Sequence, residues 1–185
     1  LNINKTPTSK KWNIALIKFN DSPSSEENLE GVISELKKSD LTEGKDFKVT
    51  IFSAQNDMPA LNSIIDRIAD SRFDMIITLS TPTLQAAMNK TKNIPIVFTY
   101  LADPIKAGAG KTYSNHLPNV TGAFATADYK GLIQLVKKIM PQVKTVGSLY
   151  NPGEVNSYFH IDELKKAAEL ENIKFISVGV NSASE

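Results

Sequence analysis

Between residues 12 and 101, short apolar runs and longer amphipathic stretches alternate four times, and few folds satisfy that pattern. The runs are 12–19 (WNIALIKF), 47–52 (FKVTIF), 75–79 (MIITL) and 94–101 (IPIVFTYL). The third is too short for a helix and lacks the alternation of a half-exposed strand, so it reads as a strand buried on both faces. The second alternates apolar with polar residues and belongs nearer a sheet edge. Between the runs lie stripes at helical spacing: Leu29, Val32, Ile33 and Leu36, then Leu61, Ile64, Ile65 and Ile68, then Leu84, Ala87 and Met88. Each suits a helix laid on a sheet. The alternation predicts an α/β fold, a doubly wound parallel sheet with helices on both faces and right-handed crossovers.

The punctuation agrees. Ser22 or Ser24 caps the first helix, with Glu26 and Glu27 in its first turn, and Pro59 opens the second. Before the third helix, Thr81 takes the N-cap position and Pro82 the first helical one, where its missing N–H costs nothing. That helix start follows directly from the carboxyl end of the buried third strand. In open parallel sheets this edge is where ligands bind.

Composition removes several function classes. With 185 residues, 41% apolar and 22% charged, the chain can bury a core. Its net charge of +1 comes from interspersed acids and bases, without a basic stripe, so nucleic acid is not an expected partner. The absence of Cys rules out disulfides, thiolate metal sites and a cysteine nucleophile. His116 and His160 have no companions at ligand spacing, so no metal, no cofactor and no catalytic triad is expected. No apolar run approaches the roughly 18 residues of a membrane span. The GAGK fragment at 108–111 lacks phosphate-loop spacing and does not lead from a strand into a helix.

After residue 101 the rhythm breaks. The stretch 102–118 carries Gly and Pro without sustained periodicity. A strand at 120–125 (VTGAFA) contains Gly122, where the chain can bend. Thr126 or Asp128 caps a helix whose stripe is Leu132, Leu135, Val136 and Ile139, ended by Pro141. A strand at 145–150, an Asn151-Pro152-Gly153 turn, a helix at 155–170 carrying Ile161, Leu164, Ala168 and Leu170, and a strand at 173–180 complete the pattern. Two strands bury too little to form a core of their own. The expected organisation is therefore a flexible leader at 1–10, a first α/β lobe at 11–122, and the truncated start of a second α/β lobe at 123–185.

Four segments in this order resemble the ABC transporter substrate-binding proteins of uncharacterised type, some of which bind tryptophan or tyrosine. They are 43–57 (EGKDFKVTIFSAQND), 74–108 (DMIITLSTPTLQAAMNKTKNIPIVFTYLADPIKAG), 119–125 (NVTGAFA) and 146–157 (VGSLYNPGEVNS). The resemblance implies two Rossmann-like lobes of the type I periplasmic-binding-protein kind, with a ligand in the cleft between them and no catalysis. It implies the solute-binding component of an ABC importer, an amino acid (aromatic by preference) as solute, and a membrane permease as partner. It also implies an extracytoplasmic location, periplasmic or on the outer surface, with lipid anchoring left open because no anchoring Cys is present. The alternative is an extracytoplasmic ligand-sensing domain of a signalling protein with the same fold. The exposed face of a truncated second lobe also implies self-association.

In such a sheet the βα loops converge at the carboxyl edge. Ser80, Thr81 and Thr83 sit at one helix start and Asn156 and Ser157 at another, with Asn151 in the turn before it. Helix starts of this kind favour a carboxylate, and one or both are expected to clamp the α-carboxylate of an amino acid. Asp21 and Asp103 are candidates for the α-ammonium. Phe19 and Tyr100, at strand ends, are candidates to flank an apolar or aromatic side chain. Glu154 reads as a partner of its helix dipole, not of the ligand.

Overall fold

The computed structural model describes residues 10–180; the leader expected at 1–10 lies, apart from Lys10, outside the described residues, as do residues 181–185. The chain divides into two compact units. One runs up to Tyr100 and takes in His116–Ala123; the other comprises Leu101–Asn115 and continues from Phe124.

The first unit is built on a five-stranded, all-parallel sheet of β1 (Trp12–Lys18), β2 (Phe47–Ser53), β3 (Met75–Leu79), β4 (Ile96–Thr99) and, after a hairpin of β5 (Gly110–Thr112) and β6 (Asn115–His116), β7 (Val120–Gly122). The strand order is β2-β1-β3-β4-β7. β2 is an edge strand, as its alternation predicts. Helix α1 (Pro23–Lys38) lays Leu29, Val32 and Leu36 on a cluster formed by Ile14, Leu16, Phe47, Ile77 and Leu79. Helices α2 (Met58–Ala69) and α3 (Thr81–Lys90) pack on each other and bury Leu61, Ile65, Ile68, Leu84 and Ala87. The chain goes from β1 outward to β2 and then crosses back to β3, so its direction of winding reverses between β1 and β3. That reversal is the switch point at which doubly wound sheets open a crevice at their carboxyl edge.

The second unit holds a two-stranded parallel sheet, β8 (Thr145–Tyr150) with β9 (Lys174–Gly179). Helices α4 (Tyr129–Ile139) and α5 (Val155–Leu170) share with it a small core of Tyr129, Ile133, Ala167, Ala168 and Ile173. The sheet is separate from the five-stranded one.

Two local expectations change. Gly122 is not a free bend: it is paired with Phe98 in β7, and a Cβ there would lie 2.1 Å from the Phe98 carbonyl oxygen. The stripe expected to bury α4 is largely exposed, with Leu132, Leu135 and Ile139 at 49–69%. The helix packs instead through Tyr129 and Ile133, with Val136 half-buried, because a two-stranded sheet covers only part of a wide apolar face. The stretch 102–118 is ordered by its own turns. Asp103 Oδ1 accepts from the Ile105 and Lys106 N–H groups at 2.7 and 3.0 Å, and Ala107 and Ala109 are buried. Ala125 N–H to Leu101 O (3.2 Å) and Thr126 Oγ1 to Ala102 O (3.2 Å) tie that stretch to the chain after Phe124.

Candidate functional site

The carboxyl edge of the first sheet is built turn by turn. Lys18, the last residue of β1, has a buried side chain whose ammonium bridges Asp21 (2.8 Å) and Glu26. Ser53 Oγ, at the end of β2, donates to the same Asp21 oxygen at 2.8 Å. Lys18 and then Ser53 hold the Asp21 carboxyl below its ordinary range, and Asp21 and then Glu26 raise the Lys18 ammonium. Asp21 is thus fixed in place but already shares its charge. Next along, Ser22 caps α1 by accepting from Ser25 N–H, so of the two candidate serines it is the cap. Phe19 is buried at the end of the strand.

The loop after β2 is latched to β1, with Ala54 N–H donating to Lys18 O (3.0 Å) and Asn56 N–H to Phe19 O (2.8 Å). To make that turn Gln55 and Asn56 both adopt left-handed backbone, φ 52° and 63°. An open polar cavity of about 400 Å³ lies here, lined by Asn20, Asp21, Ser22, Gln55 and Asn56. Sequence reasoning puts the 54–57 loop at this edge but does not single out Gln55 or Asn56. The AQND run carries the hint, since Asn and Asp tolerate left-handed turns.

At β3 the helix begins one residue earlier than its punctuation suggests. Ser80, not Thr81, is the N-cap, Thr81 is the first helical residue, and no side chain caps the helix. Ser80 has φ 152° and ψ 166°, a conformation almost confined to glycine. Thr83 Oγ1 donates to Ser80 O at 3.0 Å and lies 3.1 Å from Ser80 Oγ. Thr81 and Thr83 are both buried. After β4, Tyr100 is left-handed as well (φ 54°) and half-exposed. Of the six non-glycine residues with positive φ among the described residues, four (Gln55, Asn56, Ser80 and Tyr100) follow the carboxyl ends of β2, β3 and β4. Strain gathered on one edge of a sheet marks a working surface, because each such residue costs about 1–3 kcal/mol.

The second unit has its own rim after β8. Asn151 Oδ1 accepts from Gly153 N–H (2.8 Å), closing the turn. Asn151 Nδ2 and Asn156 Nδ2 then donate to the two oxygens of Glu154, each at 3.2 Å. Among the described residues no Lys or Arg pairs with Glu154, and Asn156 Oδ1 is buried without a partner. Ser157 lies in the first turn of α5, and Tyr158 stacks edge-on against Tyr150 at 5.3 Å. Asp103 sits apart from this rim in sequence, within the tight turn described above. Sequence reasoning gave Glu154 to the helix dipole, yet its side chain is gripped by both amides of the turn. The structure therefore brings together Phe19 and Asp21 on one loop, Ser80, Thr81 and Thr83 on the next, and Asn151, Asn156 and Ser157 around Glu154.

Among the described residues no cluster of His, Cys, Asp and Glu could hold a metal, and no helix is long and apolar enough to cross a membrane.

Comparison with known proteins identifies the family. A tyrosine-binding protein of Clostridioides difficile (strain R20291) is 35% identical over 184 residues, covering 98% of this chain and 52% of its own length. The chain thus spans about half of that relative. A substrate binding protein with adhesive properties from Clostridium difficile, solved ligand-free and open, superposes with a TM-score of 0.71 at 33% identity, covering 94% of this chain and 59% of the other. An ABC domain from Streptococcus pneumonia, solved with L-Trp, gives a TM-score of 0.90 at 24% identity over 95% of this chain and 59% of that one, and shows the shared fold. The model of the family described as ABC transporter substrate binding protein matches residues 13–185. By that match the chain belongs to the ABC transporter substrate binding protein family, whose members bind solutes and catalyse nothing.

Proposed function

We propose that this protein captures an aromatic amino acid outside the cytoplasm and hands it to the membrane permease of an ABC importer. The observation that carries the reading is the uncapped start of α3 behind the strained Ser80 turn, at the switch point of the sheet. Helix N–H groups left without a side-chain cap favour a carboxylate. Ser80, Thr81 and Thr83 take the ligand's carboxylate, and the Asn151, Asn156 and Ser157 rim of the second unit offers a second helix start of the same kind. Asp21 and Asp103 are the candidate acceptors for the ammonium. Glu154 joins them as an acid that pairs with no Lys or Arg among the described residues. Phe19 and Tyr100 supply aromatic contact. The 35% identical tyrosine-binding relative supports the choice of an aromatic side chain.

Residues 11–122 are read as one lobe and 123–185 as the start of a second. Self-association of the chain goes with this reading, since Leu132, Leu135, Ile139, Leu149 and Val178 are exposed on the second unit. Light scattering that found only monomer across concentration would refute that part. For the ligand, thermal-shift measurements against the common amino acids form the test. Tyrosine or tryptophan should raise the unfolding temperature, and a shift produced only by another ligand class would overturn the aromatic assignment.

A further inference from the structure

We infer that the contact between Tyr129 and His160 is an acid-sensitive latch between α4 and α5. The phenol oxygen of Tyr129, first residue of α4, lies 2.6 Å from Nδ1 of His160 on the second turn of α5. Tyr129 belongs to the small core of the second unit, and its ring meets Phe159 edge-on at 6.3 Å. In the latched form the phenol donates to Nδ1 of a neutral imidazole that carries its proton on Nε2. Burial, and behind it the charge of Glu163, raise the Tyr129 pKa, so the phenol keeps the proton it donates. Burial of the imidazole lowers the His160 pKa, which favours the neutral acceptor.

The surroundings offer little to hold an imidazolium. Strands β8 and β9 contribute Val146 and Phe175 to this core, both uncharged. On α5, Glu163 is the carboxylate acting on the phenol and pairs with Lys166, as does Asp162, which also feels Lys106 of the 102–109 turn. On α4, Asp128 is engaged in capping Gly131 N–H, and the charge of Lys130 acts on Glu171. Protonating Nδ1 removes the acceptor, reverses the bond so that the phenol oxygen must accept from the new N–H, and places a charge in a partly apolar seam.

The sign follows from linkage. A histidine whose folded pKa lies below its unfolded value binds fewer protons when folded. Its contribution is complete above pH about 6.5 and declines as pH falls from there toward the folded pKa. Across that window the unfolding constant of the second unit rises by up to about tenfold per pH unit. The carboxylates with lowered pKa act only at lower pH, so the two effects separate.

The first test is the proton NMR titration of the two imidazoles in the whole chain. His160 should titrate below the ordinary histidine value of about 6.5, and Tyr129→Phe, which keeps the ring and removes the donor, should move the His160 midpoint upward. The second test is thermal unfolding at pH 7.5 and 5.5, in which His160→Gln should lose the drop seen in the wild type. A His160 midpoint at or above about 6.5, or an unchanged midpoint in Tyr129→Phe, would overturn the latch. So would a pH 5.5 drop retained in full by His160→Gln. None of these measurements uses a ligand, so they stand or fall apart from the amino-acid reading.

Discussion

Gly122 provides a sharp test of how the first unit closes its sheet. A Cβ built at position 122 would lie 2.1 Å from the carbonyl oxygen of Phe98 and 2.6 Å from two atoms of its ring. Rotating the Phe98 ring does not help, because the nearest atom is backbone. Gly122→Ala must therefore push β7 away from β4, straining the Ala123 N–H to Phe98 O bond (3.0 Å) and the Ile96 N–H to Asn119 O bond (2.7 Å). Overpacking costs about 1–3 kcal/mol, and each weakened backbone hydrogen bond adds about 1 kcal/mol. The expected loss is about 3–5 kcal/mol from the sum of these effects.

The control is Gly31→Ala in the middle of α1, where a Cβ meets nothing within 4 Å. Relief of glycine's conformational freedom there should stabilise by about 0.5–1 kcal/mol. Urea unfolding followed at Trp12, the single tryptophan and a residue of β1, reads the same unit for both variants. With slopes of about 1–3 kcal/mol/M, the two midpoints should move in opposite directions, the first by on the order of 1 M. A Gly122→Ala midpoint equal to wild type would show that β7 does not pair with β4 at this spacing.

Two further outcomes follow from the same edge. Ser80→Gly should be more stable than Ser80→Ala by about 1 kcal/mol in urea, since glycine alone is at ease in that backbone conformation; the reverse order would remove the strain argument. Hydrogen bonds from Lys18 to Asp21 and from Lys10 to Asp74 depress both carboxyls below 3.8. Their contribution is present above that value and fades as pH falls through the folded pKa, so Lys18→Met should flatten the acid limb of unit-one stability below 3.8, read by urea unfolding as a function of pH.

Much of the fold can be read from apolar periodicity, because burial on both faces forces β1 and β3 to be continuously apolar and forces α2 and α3 into stripes. The edge position of β2 follows from its alternation. What periodicity cannot convey is how much of an apolar face finds a partner. Leu132, Leu135 and Ile139 form a good stripe, yet only the side of α4 bearing Tyr129 and Ile133 meets the small second core. Gly122 shows a second kind of gap. Glycine permits either a bend or a close approach, and only the partner at Phe98 decides between them.

The candidate site was legible as a set of loops but not as chemistry. Ser80 looks like any residue before a helix until its φ of 152° is known. Asp21 looks like a free acid until Lys18 and Ser53 are found on it, and Glu154 looks like a dipole partner until two amides are found gripping it. These are contacts between residues far apart in sequence or dependent on backbone detail, so spacing alone carries no trace of them. The strained turn at Gln55 and Asn56 is the intermediate case, hinted at by residue type and fixed by the latch to β1.

The account turns on a helix start that recognises a carboxylate, and calorimetric titration with L-tyrosine and L-tyrosinamide measures that directly. The two ligands share ring and ammonium and differ in the charge at the carboxyl end. The account predicts heat of binding for tyrosine and a loss of at least about tenfold in affinity for the amide, the equivalent of about 1.4 kcal/mol. Equal affinity for the two would contradict it.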